Sequence, residues 1–242
     1  MTAPAASHTR VALVTGANRG IGLAVARGLA RQGLHVVLTA RQLSDAGAAA
    51  AQLAGEGLED TSCQQLDVTD PASTFRAFAE TQRAHGRLDV LINNAGLAID
   101  RNRSVLTPDM DIVRTMMGAN FYGPWQCAIQ AIPLMRAGGY GRIVTLSSHM
   151  ASLASMTSAD SPGYRISKTA VNALTRLLAA ECAQDPDILV NCASPGRVAT
   201  RMNYGSSLGD VQEAADALLW LATAPADGPR GGFFHGRTPL DW

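Results

Sequence analysis

The sequence predicts an α/β protein built on one doubly wound parallel sheet of about seven strands, with helices on both faces. Short β-branched apolar runs alternate along the chain with longer segments of helical periodicity, which is the pattern of consecutive βαβ units. A glycine-rich turn separates the first apolar run from the first helical segment. Because 242 residues fit one domain, we expect a single domain over residues 1–242, with residues 1–9 as a flexible tail.

Seven apolar runs are the predicted strands. Strands that are buried on both faces of a parallel sheet read as nearly continuous apolar stretches. The predicted strands cover residues 11–14, 35–39, 63–66, 88–92, 142–146, 188–192 and about 232–234.

Six helices are predicted between these strands. Asp70 followed by Pro71 predicts a helix start, because the carboxylate caps free N–H groups and proline fits the first turn. Thr107 and Pro108 predict the start of another helix, which bends near Gly123. The predicted helices cover residues 21–32, 45–54, 71–85, 107–136, 164–183 and 211–222.

The charge balance excludes several kinds of partner. Lys and Arg together number 20 and Asp and Glu together number 20, so no net field attracts nucleic acid or an anionic membrane. No stretch approaches the roughly 18 apolar residues of a membrane span, and the first ten residues lack the apolar segment of a secretion signal. We therefore expect a cytoplasmic protein whose partner is a small molecule.

The cysteines indicate neither a metal site nor a redox pair. They are widely spaced, form no CxxC motif and have no histidine cluster nearby. We expect four reduced thiols and no metal. The cysteines are Cys63, Cys127, Cys182 and Cys192.

The turn between the first strand and the first helix has the chemistry of a phosphate-binding loop. Gly16 allows a tight turn, Gly20 lets the backbone approach phosphates, and Gly22 lets the helix pack closely on the strand. Free N–H groups at the helix start form an anion site suited to a pyrophosphate, as in a Rossmann domain. The turn therefore predicts a dinucleotide cofactor, although its G-x-x-x-G-x-G spacing differs from the commoner G-x-G-x-x-G. The expected contact residues are Gly16, Asn18, Arg19, Gly20 and Ile21.

The end of the second strand predicts which dinucleotide binds. A domain that selects NAD usually carries an acidic residue there for the ribose hydroxyls, whereas this strand ends in Arg41. Arg41 and Arg19 are both suited to charge-assisted hydrogen bonds with a 2′-phosphate. The pattern favours NADP(H) over NAD(H).

Tyr164 and Lys168 are the first candidate catalytic pair. Residues four apart on a helix lie on one face. A nearby ammonium stabilises a phenolate and lowers the pKa of a tyrosine toward neutrality. Ser148, at the carboxyl end of the fifth predicted strand, is placed to hydrogen-bond a substrate oxygen. The neighbouring Ser147 stays open as the alternative hydroxyl.

Together these residues resemble the short-chain dehydrogenases/reductases over essentially the whole chain, and within them the carbonyl reductase group. The matching motifs keep the family's order along the chain. They are the turn 15–22, Asp67-Val68, Asn93-Asn94-Ala95-Gly96, Asn120 with Gly123, Ser148, Tyr164 with Lys168, and Pro195-Gly196 through Thr200.

The resemblance implies roles for residues outside the turn. Those that contact the cofactor would be Asp67 and Val68 at the adenine, Asn93, Ala95 and Gly96 on the ribose side, and Pro195, Gly196, Val198 and Thr200 at the nicotinamide. Asn120 would anchor a water that connects Lys168 to solvent. Hydride would pass between the nicotinamide and a substrate carbonyl carbon, with Ser148 orienting the oxygen and Tyr164 supplying the proton. Relatives commonly form dimers or tetramers, so we expect a homodimer or a homotetramer.

Two departures from the family pattern bear on the substrate. Fifteen residues separate Ser148 from Tyr164, and the segment 201–209 is shorter than the helical lid of many relatives. We therefore expect an open, permissive site. The candidate pocket residues flank the motifs: Leu97, His149, Met150, Met202 and Tyr204. His149 is either a second acid or base, or an incidental loop residue.

Two other functions remain open at this point. The same hydride donor and acid would serve an imine or an activated C=C substrate. A regulatory NADP(H)-binding protein would keep the glycine turn, but retention of Ser148, Tyr164 and Lys168 argues against it.

Overall fold

One continuous sheet runs through the described part of the chain, which is residues 9–196, 198 and 209–242 of a computed structural model. Its eight described strands are ordered β3-β2-β1-β4-β5-β6-β7-β8, all parallel except β8, which pairs antiparallel with β7. Of the expected tail, residues 1–9, all but Thr9 lie outside the described residues. The strands are β1 Val11–Val14, β2 His35–Ala40, β3 Thr61–Gln65, β4 Val90–Asn93, β5 Gly141–Leu146, β6 Ile188–Ser194, β7 Phe233–His235 and β8 Thr238–Pro239.

Seven α-helices connect the strands in the described ranges. A π-helical segment, Gly118–Tyr122, joins two of them, and a short 3-10 turn, His149–Ala151, follows β5. The helices are α1 Gly20–Arg31, α2 Leu43–Gly55, α3 Pro71–His85, α4 Met110–Met117, α5 Gly123–Gly138, α6 Pro162–Glu181 and α7 Val211–Ala222.

The sheet has an apolar core on each face. In β1, Ala12 and Val14 pack with α1 and α7, whereas Val11 and Leu13 pack with α3 and α5 on the other side. Successive strand residues point to opposite faces, so a strand covered on both sides must be apolar throughout. The doubly wound α/β fold predicted from the sequence is confirmed.

The helix α3 begins and ends at the residues that the sequence predicted, and its two ends show why. The Asp70 carboxylate accepts a hydrogen bond of 2.9 Å from the backbone N–H of Ala72, and Pro71 occupies the first turn. Gly86 then ends the helix with a φ of 71°, a left-handed conformation that glycine adopts without strain.

The helix predicted over residues 107–136 is wrong in two respects. It begins at Met110 rather than Thr107, because the Asp109 carboxylate accepts hydrogen bonds from the N–H groups of Asp111 and Ile112. The irregularity expected near Gly123 lies just before it, in the π-helical segment. The two-residue strand β8 was not predicted, because two residues carry no periodic signal.

Candidate active site

The glycine turn lies at the carboxyl end of β1, where the strand order reverses between β1 and β4. Open α/β sheets bind ligands at this point. Gly16 and Gly20 have φ values of +63° and +55°, so both use the left-handed conformation that favours glycine. Arg19 precedes α1 without a side-chain cap, and the first turn of α1 has no acidic residue. The first N–H groups of α1 are therefore left for an anion.

Asn94 holds this turn against the end of β4. Its Nδ2 donates hydrogen bonds of 2.8 Å and 2.9 Å to the carbonyl oxygens of Thr15 and Gly16. A Cβ atom on Gly22 would lie 2.4 Å from both Asn94 Nδ2 and the Gly16 oxygen. Gly22 is thus needed for the approach of Asn94 and the turn, rather than for packing on the strand as the sequence predicted.

Two arginines flank the entrance to the turn. Arg19 follows β1 and Arg41 follows β2, and both residues are exposed. The structure gives neither guanidinium a carboxylate or hydrogen-bond partner among the described residues. Both charges are therefore available to a ligand.

The residues expected at the adenine and its ribose have protein partners of their own. Asp67 Oδ1 accepts hydrogen bonds from the backbone N–H and the hydroxyl of Thr69, at 2.9 Å and 2.6 Å. Val68 is buried against Gly123, where a Cβ would lie 2.8 Å from the valine. The Asn93 side chain is buried, with Nδ2 3.4 Å from the Pro124 carbonyl oxygen and Oδ1 without a partner in the described part of the chain. Their contact with a cofactor stays a prediction.

Lys168 is buried one helical turn after Tyr164 on α6. Its Nζ donates a 2.7 Å hydrogen bond to the Leu146 carbonyl oxygen and lies 6.0 Å from the centroid of the tyrosine ring. Burial lowers the pKa of Lys168 to about 8. Gly96 lets the loop after β4 approach Asn120, because a Cβ there would lie 3.0 Å from Asn120 Oδ1.

Tyr164 differs from expectation in its acidity. Burial is the largest influence and raises the pKa of Tyr164. A hydrogen bond with the Ser148 hydroxyl and the positive charge of Arg101 lower this pKa, whereas the negative charge of Asp100 raises it. The pKa is raised on balance, whereas a tyrosine beside a lysine was expected to have a lowered one. The phenol therefore holds its proton at neutral pH and is equipped to act as a donor.

The two neighbouring serines face different ways. The Ser147 hydroxyl donates a 2.5 Å hydrogen bond to Asn172 Oδ1 and is buried between β5 and α6. Ser148 instead lines the cavity that contains Tyr164. The geometry brings Ser148 to Tyr164 and keeps Ser147 away.

Asp100 fixes the start of α6, a role that the sequence did not predict. Its Oδ2 accepts hydrogen bonds from the N–H groups of Gly163 and Tyr164, at 2.7 Å and 3.2 Å. Ser161, the residue before the helix, makes no side-chain cap. Asp100 lies over 60 residues earlier in the chain, so no local capping pattern could reveal it.

Asn120 lies in the π-helical segment and connects two parts of the site. Its side chain accepts from the Leu97 N–H at 2.7 Å and donates to the Leu97 carbonyl and to Ser167 Oγ, at 2.8 Å and 2.9 Å. Ser167 in turn donates to the Tyr164 carbonyl oxygen. The Asn120 amide thus links the loop after β4 to α6, and its expected water contact stays a prediction.

Comparison with known proteins identifies the family. The sequence model of the family described as short chain dehydrogenase matches residues 10–209. Human carbonyl reductase [NADPH] 3 is 34% identical over 283 aligned positions, which cover 98% of this chain and 99% of the relative. The chain belongs to the short-chain dehydrogenases. The predicted resemblance to their carbonyl reductase group is confirmed, as is the expectation of an oxidoreductase.

Two solved structures of short-chain dehydrogenases share the fold. Gluconate 5-dehydrogenase from Burkholderia cenocepacia, determined with NADP and tartrate, has a TM-score of 0.85, 28% identity, and coverage of 96% of this chain and 93% of its own. Salutaridine reductase from Papaver somniferum has a TM-score of 0.81, 28% identity, and coverage of 93% and 99%.

The cavity that Ser148 and Tyr164 line in this short-chain dehydrogenase has a volume of about 790 Å³. Of the predicted pocket residues, His149 and Met150 line the cavity, whereas Leu97 is not among the described lining residues. Pro195 and Gly196, which were expected at the nicotinamide, also line it. Val198 is buried and pairs with Gly209. Thr200, Met202 and Tyr204 lie outside the described residues. Besides Tyr164, seven ionisable side chains line the cavity: Arg101, His149, Asp160, Arg165, Asp210, Glu213 and His235.

The described residues contain no group of three His, Cys, Asp or Glu side chains arranged to hold a metal ion. Within the same ranges, no helix combines the length and apolar character needed to cross a membrane.

Proposed function

We propose that this chain is an NADP(H)-dependent reductase that interconverts a carbonyl compound and its alcohol, with Tyr164 as the general acid and base. The observation that carries the proposal is the meeting of the Ser148 hydroxyl and the Tyr164 phenol at one cavity, with Lys168 one helical turn away. Ketones, aldehydes and quinones are the substrate class.

The residues at the carboxyl edge fit NADP(H). The uncapped start of α1 and the left-handed Gly16 and Gly20 form a cradle for a pyrophosphate. Arg19 and Arg41 would hold the 2′-phosphate with charge-assisted hydrogen bonds. The named carbonyl reductase relative uses NADPH and the gluconate dehydrogenase was determined with NADP, which supports the same cofactor here.

The chain's own groups would manage the substrate oxygen and its proton. When bound, NADPH supplies the hydride. Ser148 donates a hydrogen bond that holds the carbonyl oxygen and stabilises its developing charge. Tyr164, which burial keeps protonated at neutral pH, donates its proton to that oxygen. The Lys168 charge then stabilises the phenolate that is left.

The test is the fall in NADPH absorbance with a panel of ketones, aldehydes, quinones and imines, with NADH in parallel. Tyr164→Phe is expected to lower kcat by about 10² to 10⁴. Tyr140→Phe is the matched control, because Tyr140 is also buried but stacks with Arg10 and Arg142 away from the cavity. Ser148→Ala should lower kcat and Ser147→Ala should not.

Each outcome has a clear meaning. Turnover that survives Tyr164→Phe would overturn the acid assignment. Reduction of imines alone would favour the imine reductase, and NADPH binding without turnover of any compound would favour a regulatory protein.

We also propose that the protein is a cytoplasmic homodimer or homotetramer that associates through α5 and α6. Large apolar side chains on these helices are exposed: Trp125 and Ile129 on α5, and Ile166 and Leu177 on α6. Light scattering should show a dimer or a tetramer that Ile129→Glu converts to a monomer. A monomeric parent protein at micromolar concentration would refute this assembly.

A further inference from the structure

Two histidines from distant parts of the chain meet at the wall of the cavity. His149 directly follows Ser148, and His235 ends β7. Their ring centroids are 4.6 Å apart with an interplanar angle of 68°, and both residues line the cavity that Ser148 and Tyr164 also line. The His235 ring packs on Gly196, where a Cβ would lie 3.0 Å from Cε1. The pair therefore stands close to the group that orients the substrate oxygen.

Ser194 determines which nitrogen of His149 carries the proton. Ser194 Oγ accepts hydrogen bonds from the N–H groups of His149 and Gly196, at 3.0 Å and 3.3 Å. Both acceptor positions of the hydroxyl are then used, so its own hydrogen is donated to His149 Nδ1, 2.6 Å away. Nδ1 is the acceptor, and the proton of neutral His149 lies on Nε2.

Ser194 determines the tautomer of His235 in the opposite sense. His235 Nδ1 lies 3.1 Å from the Ser194 carbonyl oxygen. A carbonyl oxygen only accepts, so Nδ1 carries the proton and Nε2 of the neutral ring keeps a lone pair. The pair thus offers one donor, His149 Nε2–H, and one acceptor, His235 Nε2.

This combination suits one kind of substrate group. A hydroxyl accepts one hydrogen bond and donates another, whereas a carboxylate only accepts and an ammonium only donates. We propose that His149 and His235 form a hydroxyl-binding subsite, and that the substrates are hydroxyketones or hydroxyaldehydes. The proposal rests on the proposed carbonyl reductase function and names its substrate class.

Charge supports the choice of a neutral ligand group. Burial and then the proximity of His235 lower the pKa of His149, so its ring is neutral at pH 7. A metal ion is disfavoured, because the described residues provide no third ligand beside the two imidazoles.

The experiment compares ketones in which a hydroxyl replaces a methyl group of the same size. The pairs are 4-hydroxy-2-butanone with 2-pentanone, and hydroxyacetone with 2-butanone, each with NADPH. The parent enzyme is expected to prefer the hydroxyketone by about tenfold in kcat/KM, the value of one well-formed pair of hydrogen bonds. In His235→Leu and in His149→Leu that ratio should fall to about one.

The chain offers a matched control. His35 and His85 form a second pair of neighbouring rings, with centroids 4.2 Å apart and an interplanar angle of 40°, at the opposite edge of the sheet. His85→Leu should keep the parent ratio. Equal rates for both ketones of each pair, in an enzyme that Tyr164→Phe inactivates, would refute the subsite and leave the proposed function standing.

If no ketone is turned over, the proposed function fails, and a binding measurement then tests the subsite by itself. The Cε1 proton resonances of His149 and His235, assigned with the two variants, should shift on addition of 1,3-butanediol and not of 2-pentanol. Absence of that selective shift would overturn the subsite.

Discussion

Asp89 and Arg142 at the amino edge of the sheet differ from Lys168 at the carboxyl edge in how far their hydrogen-bonding capacity is used within the protein. At the amino edge, the buried Asp89 accepts hydrogen bonds from the Val11 N–H at 2.8 Å and from both arms of Arg87 at 2.7 Å. Arg142 is equally engaged there, with Asp187 and with three backbone carbonyl groups. At the carboxyl edge, Lys168 has a single carbonyl partner in the described chain. The charges of Asp89 and Arg142 thus hold the amino edge together, whereas the Lys168 ammonium at the carboxyl edge keeps hydrogen-bonding capacity for a ligand.

His35 at the amino edge and the histidine pair at the cavity repeat this contrast. His35 uses both ring nitrogens, with Asp60 at 2.5 Å and Ser62 at 2.9 Å. His149 and His235 each use one nitrogen on Ser194 and leave the other without a partner among the described residues. The same residue type is structural at one edge and suited to recognition at the other, and hydrogen-bond saturation makes the difference.

The largest effect should come from breaking the amino edge. Asp89→Ala leaves the Val11 N–H and the Arg87 guanidinium unpaired, and should lower the free energy of unfolding by about 3 to 5 kcal/mol. Urea unfolding measures this. Glu80→Ala, which removes an exposed ion pair with Arg83, should leave the transition unchanged. A loss of activity without a loss of stability in Asp89→Ala would contradict the contrast between the edges.

The carboxyl edge should respond in the opposite direction. Burial lowers the pKa of Lys168 from 10.5 to about 8, so holding its charge at pH 7 costs the folded protein about 3 kcal/mol. Lys168→Met removes that cost and the hydrogen bond to Leu146, and should raise the free energy of unfolding by about 2 kcal/mol while abolishing activity.

The pH dependence of this gain checks its cause. Between pH 8 and 10.5 the unfolded parent still binds the lysine proton and the folded parent does not, so the parent gains stability as pH rises. The advantage of Lys168→Met should therefore shrink over that range. An advantage that is constant from pH 7 to 10 would assign the effect to packing.

The arginines at the glycine turn should affect the cofactor alone. Arg41→Ala removes a charge-assisted contact with a 2′-phosphate and should raise the KM for NADPH by about tenfold to a hundredfold. The KM for NADH should not change. Arg31→Ala, at the far end of α1, is the control. Equal losses with both cofactors would show that Arg41 does not read the phosphate.

The smallest effect should come from the charge that caps α6. Asp100→Asn keeps an oxygen for the Gly163 and Tyr164 N–H groups but removes the charge that raises the pKa of Tyr164. The pH profile of alcohol oxidation should shift to lower pH, since the phenolate then forms more readily. Asp109→Asn, at the cap of α4, is the control and should leave the pH profile unchanged. An unchanged profile in Asp100→Asn would show that Asp100 acts only as a cap.

Local chemistry made most of the fold predictable. Asp70 and Gly86 bound α3 because their effects act within a few residues, and the apolar runs located the long strands to within two or three residues. Within the site, the glycine turn and the pair Tyr164 and Lys168 were predictable because each lies on a single element. For the serine, the sequence favoured Ser148 and left Ser147 open as the alternative.

The parts that could not be predicted depend on contacts between distant segments. Asp100 acts on a helix that starts over 60 residues later, and Ser194 meets His149 and His235 from a third element. Residues that make such contacts have no fixed spacing along the chain, so a single sequence does not reveal them. The raised pKa of Tyr164 escaped for a related reason, because burial is a property of the packed molecule.

The π-helical segment Gly118–Tyr122 joins α4 to α5 and changes the rotation of α5 about the common helix axis. A π turn holds one residue more than an α turn, and one residue corresponds to about 100° of rotation. The buried face of α5, with Cys127, Ala131 and Met135, is set by that extra residue. Deleting a single residue here would rotate this face by about 100° and place Ile129 where the buried Ala128 now lies.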